Sequence, residues 1–135
     1  MSDLHTNLTL PSNPDNVSQV EPFVHELAER YKLSPDIHGN ILISLTEAVT
    51  NAMLHGNRCD CSKQVSISLR RQRDALSIRV SDEGPGFDPG TVADPTCPEY
   101  LEKCGGRGLF LMRHLSDGCR FMRGGSTVEM RFKLD

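Results

Sequence analysis

Leu45 to Asn57 reads LTEAVTNAMLHGN, and this stretch decides how the chain is organised. It lies late in a long helical pattern and sets Glu47, Asn51 and His55 four residues apart. Side chains at that spacing stack on one helix face. That face therefore carries an acid, an amide and an imidazole in a row. Leu45, Ala48, Val49 and Ala52 occupy the other side and suit a core. A solvated helix face would show the same polar stripe, so the stripe gains meaning only from the segments around it.

Length and composition set the frame. A chain of 135 residues is the size of one domain and is long enough to bury a core. Its net charge is -3, which argues against direct nucleic-acid binding through a basic stripe. No apolar run approaches a membrane span. The N-terminal MSDLHTNLTL lacks the basic and apolar regions of a signal peptide. A cytoplasmic protein with no membrane contact is expected. The five cysteines are scattered and read as free thiols in a reducing compartment. Cys59-x-Cys61, with His55 nearby, lacks the second ligand pair of the usual zinc spacings.

Outward from the central stretch, local chemistry gives the elements. His5 to Leu10 alternates as a half-buried strand that Pro11 ends. Asn13-Pro14-Asp15 has the capping residue, first-turn proline and acid of a helix start. Val17, Val20, Phe23, Val24, Leu27, Ala28 and Tyr31 follow at helical spacing. Ser34-Pro35-Asp36 opens the second helix by the same chemistry. It runs to His55, with Gly56 as a left-handed terminator. Gln64 to Leu69 alternates, Asp74-Ala75 makes a tight connection, and Leu76, Ile78 and Val80 form the partner strand of a hairpin. Asp82 to Gly90 is loop. Thr91 to Cys104 contains Pro95 and Pro98 with little periodicity and reads as a mobile lid. Gly105-Gly106-Arg107-Gly108 leads into a short helix with Leu109, Leu111, Met112 and Leu115, ended by Asp117-Gly118. Strands around Cys119 to Arg123 and Thr127 to Leu134 close the chain, joined by a turn at Gly124-Gly125. The implied fold is an α/β two-layer sandwich, with helices on one face of a mixed, mainly antiparallel sheet.

Two glycine loops extend the central motif. Asp82, Gly84 and Gly86 stand directly after a strand. Glycines there let a ligand approach the main chain, and a carboxylate can accept from an exocyclic amine such as adenine's. A plain Gly/Pro turn would look alike. Gly105, Gly106 and Gly108 stand at a helix start, where free N–H groups and the helix dipole favour an anion. Arg107 adds a charge-assisted donor for phosphate. Alone, these glycines fit a flexible hinge equally well. Asn51 offers an amide oxygen, a hard ligand suited to Mg²⁺. Glu47, one turn earlier, suits a general base. His55 fits either a phosphate contact or a favourable charge near a helix C-terminus.

The helix E-x-x-x-N, the D-x-G-x-G after a strand, and the glycine loop before a helix occur in one order. That order resembles the GHKL (histidine-kinase-like) ATPase superfamily. Within it, EAVTNAMLHGN, SDEGPGFDP and GGRGLFLM are similar to the small bacterial serine kinases that act as anti-sigma factors. The resemblance covers nearly the whole chain. It implies a Bergerat-type sandwich that binds Mg-ATP between the helices and the lid. Asn51 would match the metal-binding asparagine and Glu47 the catalytic acid. Asp82 would match the adenine-binding aspartate, with Gly84 and Gly86 shaping that pocket, and Gly106 and Gly108 the phosphate loop. The implied partners are a sigma factor and a small STAS-type anti-sigma-factor antagonist that is phosphorylated on serine. A homodimer is an option that the resemblance leaves open.

Some of these kinases carry an arginine just before the phosphate loop. Here Cys104 and Gly105 occupy that region, and the charge comes from either Lys103 or Arg107. Two other readings compete with the kinase. One is a nucleotide-gated binding regulator without phosphotransfer, against which the intact Glu47 speaks. The other is a detached histidine-kinase catalytic domain. His25-Glu26-Leu27 resembles a phospho-acceptor motif, but the pattern leaves no second helix for the dimerisation hairpin that motif needs.

Overall fold

The fold follows from which faces the alternating segments must hide. The computed structural model describes residues 5–84 and 106–134. Strand β1 (His5–Pro11) is followed by a short 3₁₀ turn (Pro14–Gln19), then helices α1 (Val20–Tyr31) and α2 (Pro35–Asn51). The last turn of α2 widens into a π-turn, Ala52–Gly56. Strands β2 (Gln64–Gln72) and β3 (Ala75–Ser81), helix α3 (Gly106–Leu115), and strands β4 (Gly118–Met122) and β5 (Thr127–Lys133) complete the described chain.

The strands form one five-stranded sheet in the order β1-β2-β3-β5-β4, and every neighbouring pair is antiparallel. The registers bring Leu8 opposite Ile67, Ile67 opposite Val80, and Val80 opposite Val128. One sheet face is thus a continuous apolar surface. Val65, Ile67, Leu69, Leu76, Ile78, Met130 and Phe132 are all buried on it. Against this face lie Val20, Val24 and Leu27 of α1 and Ile41, Leu45 and Val49 of α2, also buried. The other face carries Ser68, Arg70, Arg79, Glu129 and Arg131, as expected of an antiparallel sheet covered on one side. The two-layer α/β sandwich is the observed architecture.

Four boundaries differ from the local reading. Asn13 does cap the first helical segment, its side chain accepting from the Asp15 N–H at 3.0 Å. The segment it opens is 3₁₀, and regular helix begins at Val20. Ser34 caps α2 as expected, accepting from the Ile37 N–H at 3.3 Å. The chain leaves the π-turn through Arg58 and Cys59, at φ 53° and 59°, and not through a left-handed Gly56. The hairpin turn sits on Arg73 and Asp74, one residue earlier than expected, with Arg73 at φ 53°. Finally, Gly106 and Gly108 lie inside the first turn of α3 and not in a loop before it. The expected lid, Thr91 to Cys104, lies outside the described residues.

Leu45 and Ile43 separate the two faces of α2. Leu45 is 0% exposed and Ile43 is 45% exposed. Leu45→Ala should cost about 2–5 kcal/mol through lost burial and a residual cavity. Ile43→Ala should stay within about 0.5 kcal/mol of wild type. Denaturant midpoints of the two variants check this, and equal losses would place the core elsewhere.

Candidate nucleotide site

A cleft opens where the end of α2 meets the ends of β3 and β5 and the inner side of α3. It encloses a cavity of about 190 Å³. Ala52, Val80, Leu109, Met112 and Val128 give it apolar walls. Its polar groups are few: Asn51, His55, Asp82 and Ser126. Apolar walls with a few convergent polar groups are the usual make-up of a small-molecule site. Its volume is below the roughly 300 Å³ typical of a drug-sized ligand, so the described residues alone offer room for part of one.

Asp82 is fixed at the cleft by the backbone around it. It stands just past β3, and its N–H donates to the Ser126 carbonyl at 2.9 Å. Its carboxylate accepts from the Gly84 N–H at 2.8 Å. Gly56, at the end of the π-turn, lies so close that a Cβ there would overlap the Asp82 carboxylate. A Cβ on Gly84 would in turn overlap the Gly56 carbonyl. Two glycines thus press two backbone segments together around one acid. Burial pushes the Asp82 carboxyl above its ordinary range, while the Gly84 N–H and the charge of Lys63 pull it back down.

The stripe on α2 divides along the cleft. Asn51 and His55 line the cavity, His55 from an exposed position. Glu47, one turn back, is half-buried outside its lining. The first turn of α3 lies over both Glu47 and Asn51. A Cβ on Gly108 would stand 2.8 Å from Glu47 Oε2 and 3.2 Å from Asn51 Nδ2. The N-terminal turn of α3, where unpaired N–H groups favour an anion, is thereby set beside the acid and the amide. So Asn51, His55 and Asp82 line one cleft, with Gly84 beside Asp82 and with Glu47 and Gly108 beside Asn51. Gly106 lies in the same α3 turn, as does the backbone of Arg107. Gly86, Lys103 and Gly105 lie outside the described residues.

Reading the sequence missed Asn57. It is the last residue of the quoted stretch and 1% exposed. Its amide nitrogen donates to Ser12 Oγ at 2.7 Å and to the Gln64 carbonyl at 3.0 Å. Its amide oxygen accepts from the Glu83 N–H at 2.7 Å. The only local signal was a polar residue directly after a helix-ending glycine.

The donor set suits a magnesium nucleotide. Among the described residues, no group of three or more His, Cys, Asp or Glu side chains could hold a metal ion by itself. Asn51 offers a single hard oxygen, which fits Mg²⁺, an ion that keeps waters and takes substrate phosphates. The half-buried carboxylate of Asp82 in apolar walls fits a flat base bearing an amine.

An apolar cleft with Asp82 in its wall and the start of α3 close by has the make-up of a small-molecule site. Comparison with known proteins gives the family. The family model described as histidine kinase-like ATPase domain matches residues 10–132. The chain is 32% identical to a serine-protein kinase RsbW of Bacillus licheniformis over 127 residues, covering 89% of the chain and 79% of that protein. It is 30% identical to that of Bacillus subtilis (strain 168) over 134 residues, covering 93% and 83%. For the kinase of the same name from Listeria innocua serovar 6a, identity is 29% over 142 residues, covering 98% and 90%. A crystal structure of the RsbU and RsbW domains of a Mycobacterium tuberculosis protein superposes with a TM-score of 0.69 at 16% identity. That match spans 99% of this chain but only 32% of the solved one, and it speaks for the fold.

The chain belongs to the histidine kinase-like ATPase family and, within it, to the anti-sigma-factor serine kinases. The class it carries is ATP-using protein serine kinase. No helix among the described residues is long and apolar enough to cross a membrane.

The cost of burying Asp82 gives a test. Its folded-state pKa is raised, so the native state holds the proton more tightly than the unfolded chain does. Relative to Asp82→Asn, wild type is therefore most stable below the unfolded carboxylate range, near pH 4, and loses ground as pH rises through the raised value. At pH 7 the Asn variant should melt at or above wild type, and the difference should close on acidification. A variant that melts well below wild type at pH 7 would mean Asp82 is there for stability.

Proposed function

We propose that this kinase binds Mg-ATP with its base against Asp82, sequesters a sigma factor, and phosphorylates a serine of a STAS-type anti-sigma-factor antagonist. The observation that carries the reading is one cleft lined by both Asp82 and Asn51, with Glu47 beside Asn51 under the first turn of α3.

Each residue has a role in this reading. Asp82, ionised, accepts from the exocyclic amine of adenine, and it cannot donate to the carbonyl that guanine presents there. Gly84 and Gly86 shape that pocket. Asn51 would hold Mg²⁺ through its amide oxygen. Gly105, Gly106 and Gly108, with His55 and the guanidinium of Arg107 or the ammonium of Lys103, would face the phosphates. Bound Mg-ATP supplies the transferable phosphoryl group. Transfer itself asks mainly for positioning and charge neutralisation. Glu47 is left to take the proton of the acceptor serine as general base. A cytoplasmic place of action and a homodimeric form both fit this reading.

Glu47→Gln keeps the size and a hydrogen-bonding oxygen but removes the base. Transfer to purified antagonist should fall by a factor of about 10²–10⁴, with ATP affinity and sigma binding little changed. Unaffected transfer would remove Glu47 from the role. If wild type binds ATP and its sigma partner but transfers nothing, the chain is a nucleotide-gated binding regulator instead.

A further inference from the structure

We propose that Asn57 is a positioning residue for base selection, holding Asp82 in the place from which it reads the nucleotide's amine. The inference rests on the reading of Asp82 given above and adds a second residue to it, one that lies outside the cleft's lining.

The side chain of Asn57 is a junction between three strand ends. Its nitrogen is anchored on Ser12 Oγ, just past β1, and on the carbonyl of Gln64, which opens β2. Both anchors are fixed: Ser12 is 0% exposed, and its N–H donates to the Lys63 carbonyl at 3.0 Å. The oxygen of Asn57 holds the N–H of Glu83, the residue after Asp82. The carboxylate of Glu83 accepts from the Gln64 N–H, closing the loop back onto β2. Every strong hydrogen-bonding position of the amide except one oxygen lone pair is therefore used, away from water. An amide buried and satisfied in this way specifies one geometry, because an alternative leaves buried groups unpaired.

That geometry bears directly on Asp82. The backbone is tied before the acid, through the Asp82 N–H to Ser126, and after it, through the Glu83 N–H to Asn57. Asn57 also follows Gly56 in the chain, and Gly56 is the residue whose backbone lies against the Asp82 carboxylate. One side chain thus sets both the backbone that carries the acid and the backbone that the acid leans on. Lys63 and Glu83 are the charged groups beside this junction, and neither replaces the amide bond to the Glu83 N–H. Among the described residues, the side-chain hydrogen bonds of Asn57 go to Ser12, Gln64 and Glu83 and none goes to Glu47, Asn51 or Gly108, which meet under the first turn of α3.

The test uses the full chain with ATP, GTP and inorganic tripolyphosphate, the last as a probe that has no base. In Asn57→Ala, ATP affinity should fall about tenfold, the loss of one well-placed hydrogen bond. The preference for ATP over GTP should shrink with it, while tripolyphosphate binding holds. In an Asp82→Asn background the same replacement should change ATP affinity by less than about twofold, because its effect runs through Asp82. Equal losses for ATP and tripolyphosphate, or full additivity with Asp82→Asn, would overturn the inference and leave Asn57 a purely structural residue. If Asn57→Ala does not fold, Ser12→Ala, which removes one anchor only, should still narrow the ATP preference. Unchanged preference in that folded variant would overturn the inference too. Wild type that binds ATP and GTP alike would instead sink the reading of Asp82 itself.

Discussion

The contact between Gly56 and Asp82 is the constraint on which the rest of the site depends. A carboxylate half-buried beside apolar walls is unfavourable by itself, as its raised pKa records. It is held there because two backbone segments approach more closely than any side chain allows. The π-turn at Ala52–Gly56 fits this demand. Regular helix would carry the chain onward, whereas the wider turn leaves Gly56 against Asp82 and sends Asn57 into the gap between strand ends. Such widened turns often occur at functional sites, because they re-aim the residues beyond them.

The sheet provides the rigid frame for that contact. Asp82 and Ser126 stand at adjacent ends of β3 and β5, whose register pairs Ser81 with Thr127. The buried row of Ile78, Val80, Val128 and Met130 on these two strands makes the ends hard to displace. Helix α2 lies across the same face with Leu45 and Val49 buried, so its other side must carry Glu47 and Asn51 toward α3. Helix α3 packs closely there because its first turn has glycine at 108. The cleft is what remains between the ends of two inner strands, a helix end and a helix start.

Much of this was legible in the sequence. Period-two runs such as Val65, Ile67 and Leu69 gave strands with the observed inward face, and Ser34-Pro35-Asp36 marked the start of α2. The site motifs were legible as residue types at spacings, and the structure brings Asn51, His55 and Asp82 to one cleft, with Glu47 and Gly108 beside Asn51. What local pattern cannot carry is distance along the chain. Gly56 looks like a terminator because glycine commonly ends helices, but its neighbour is Asp82, 26 residues later in sequence. Arg58 and Cys59, both exposed, take the left-handed angles in its stead, and the Cys59 N–H donates back to the Met53 carbonyl at 2.7 Å. Asn57 is a sharper case. Its partners are Ser12, Gln64 and Glu83, separated from it by 45, 7 and 26 positions. Nothing in a local window distinguishes such a buried amide from a polar residue in a turn.

The central claim is that one cleft reads a base at Asp82 and phosphates at the start of α3. A crystal structure of the chain with Mg²⁺ and a non-hydrolysable ATP analogue tests it most directly. The account predicts the adenine amine within hydrogen-bond distance of an Asp82 oxygen, the phosphates beside the N-terminal turn of α3, and the metal on the side-chain oxygen of Asn51. A base bound away from Asp82, or phosphates on the far side of the π-turn from Asn51, would contradict it.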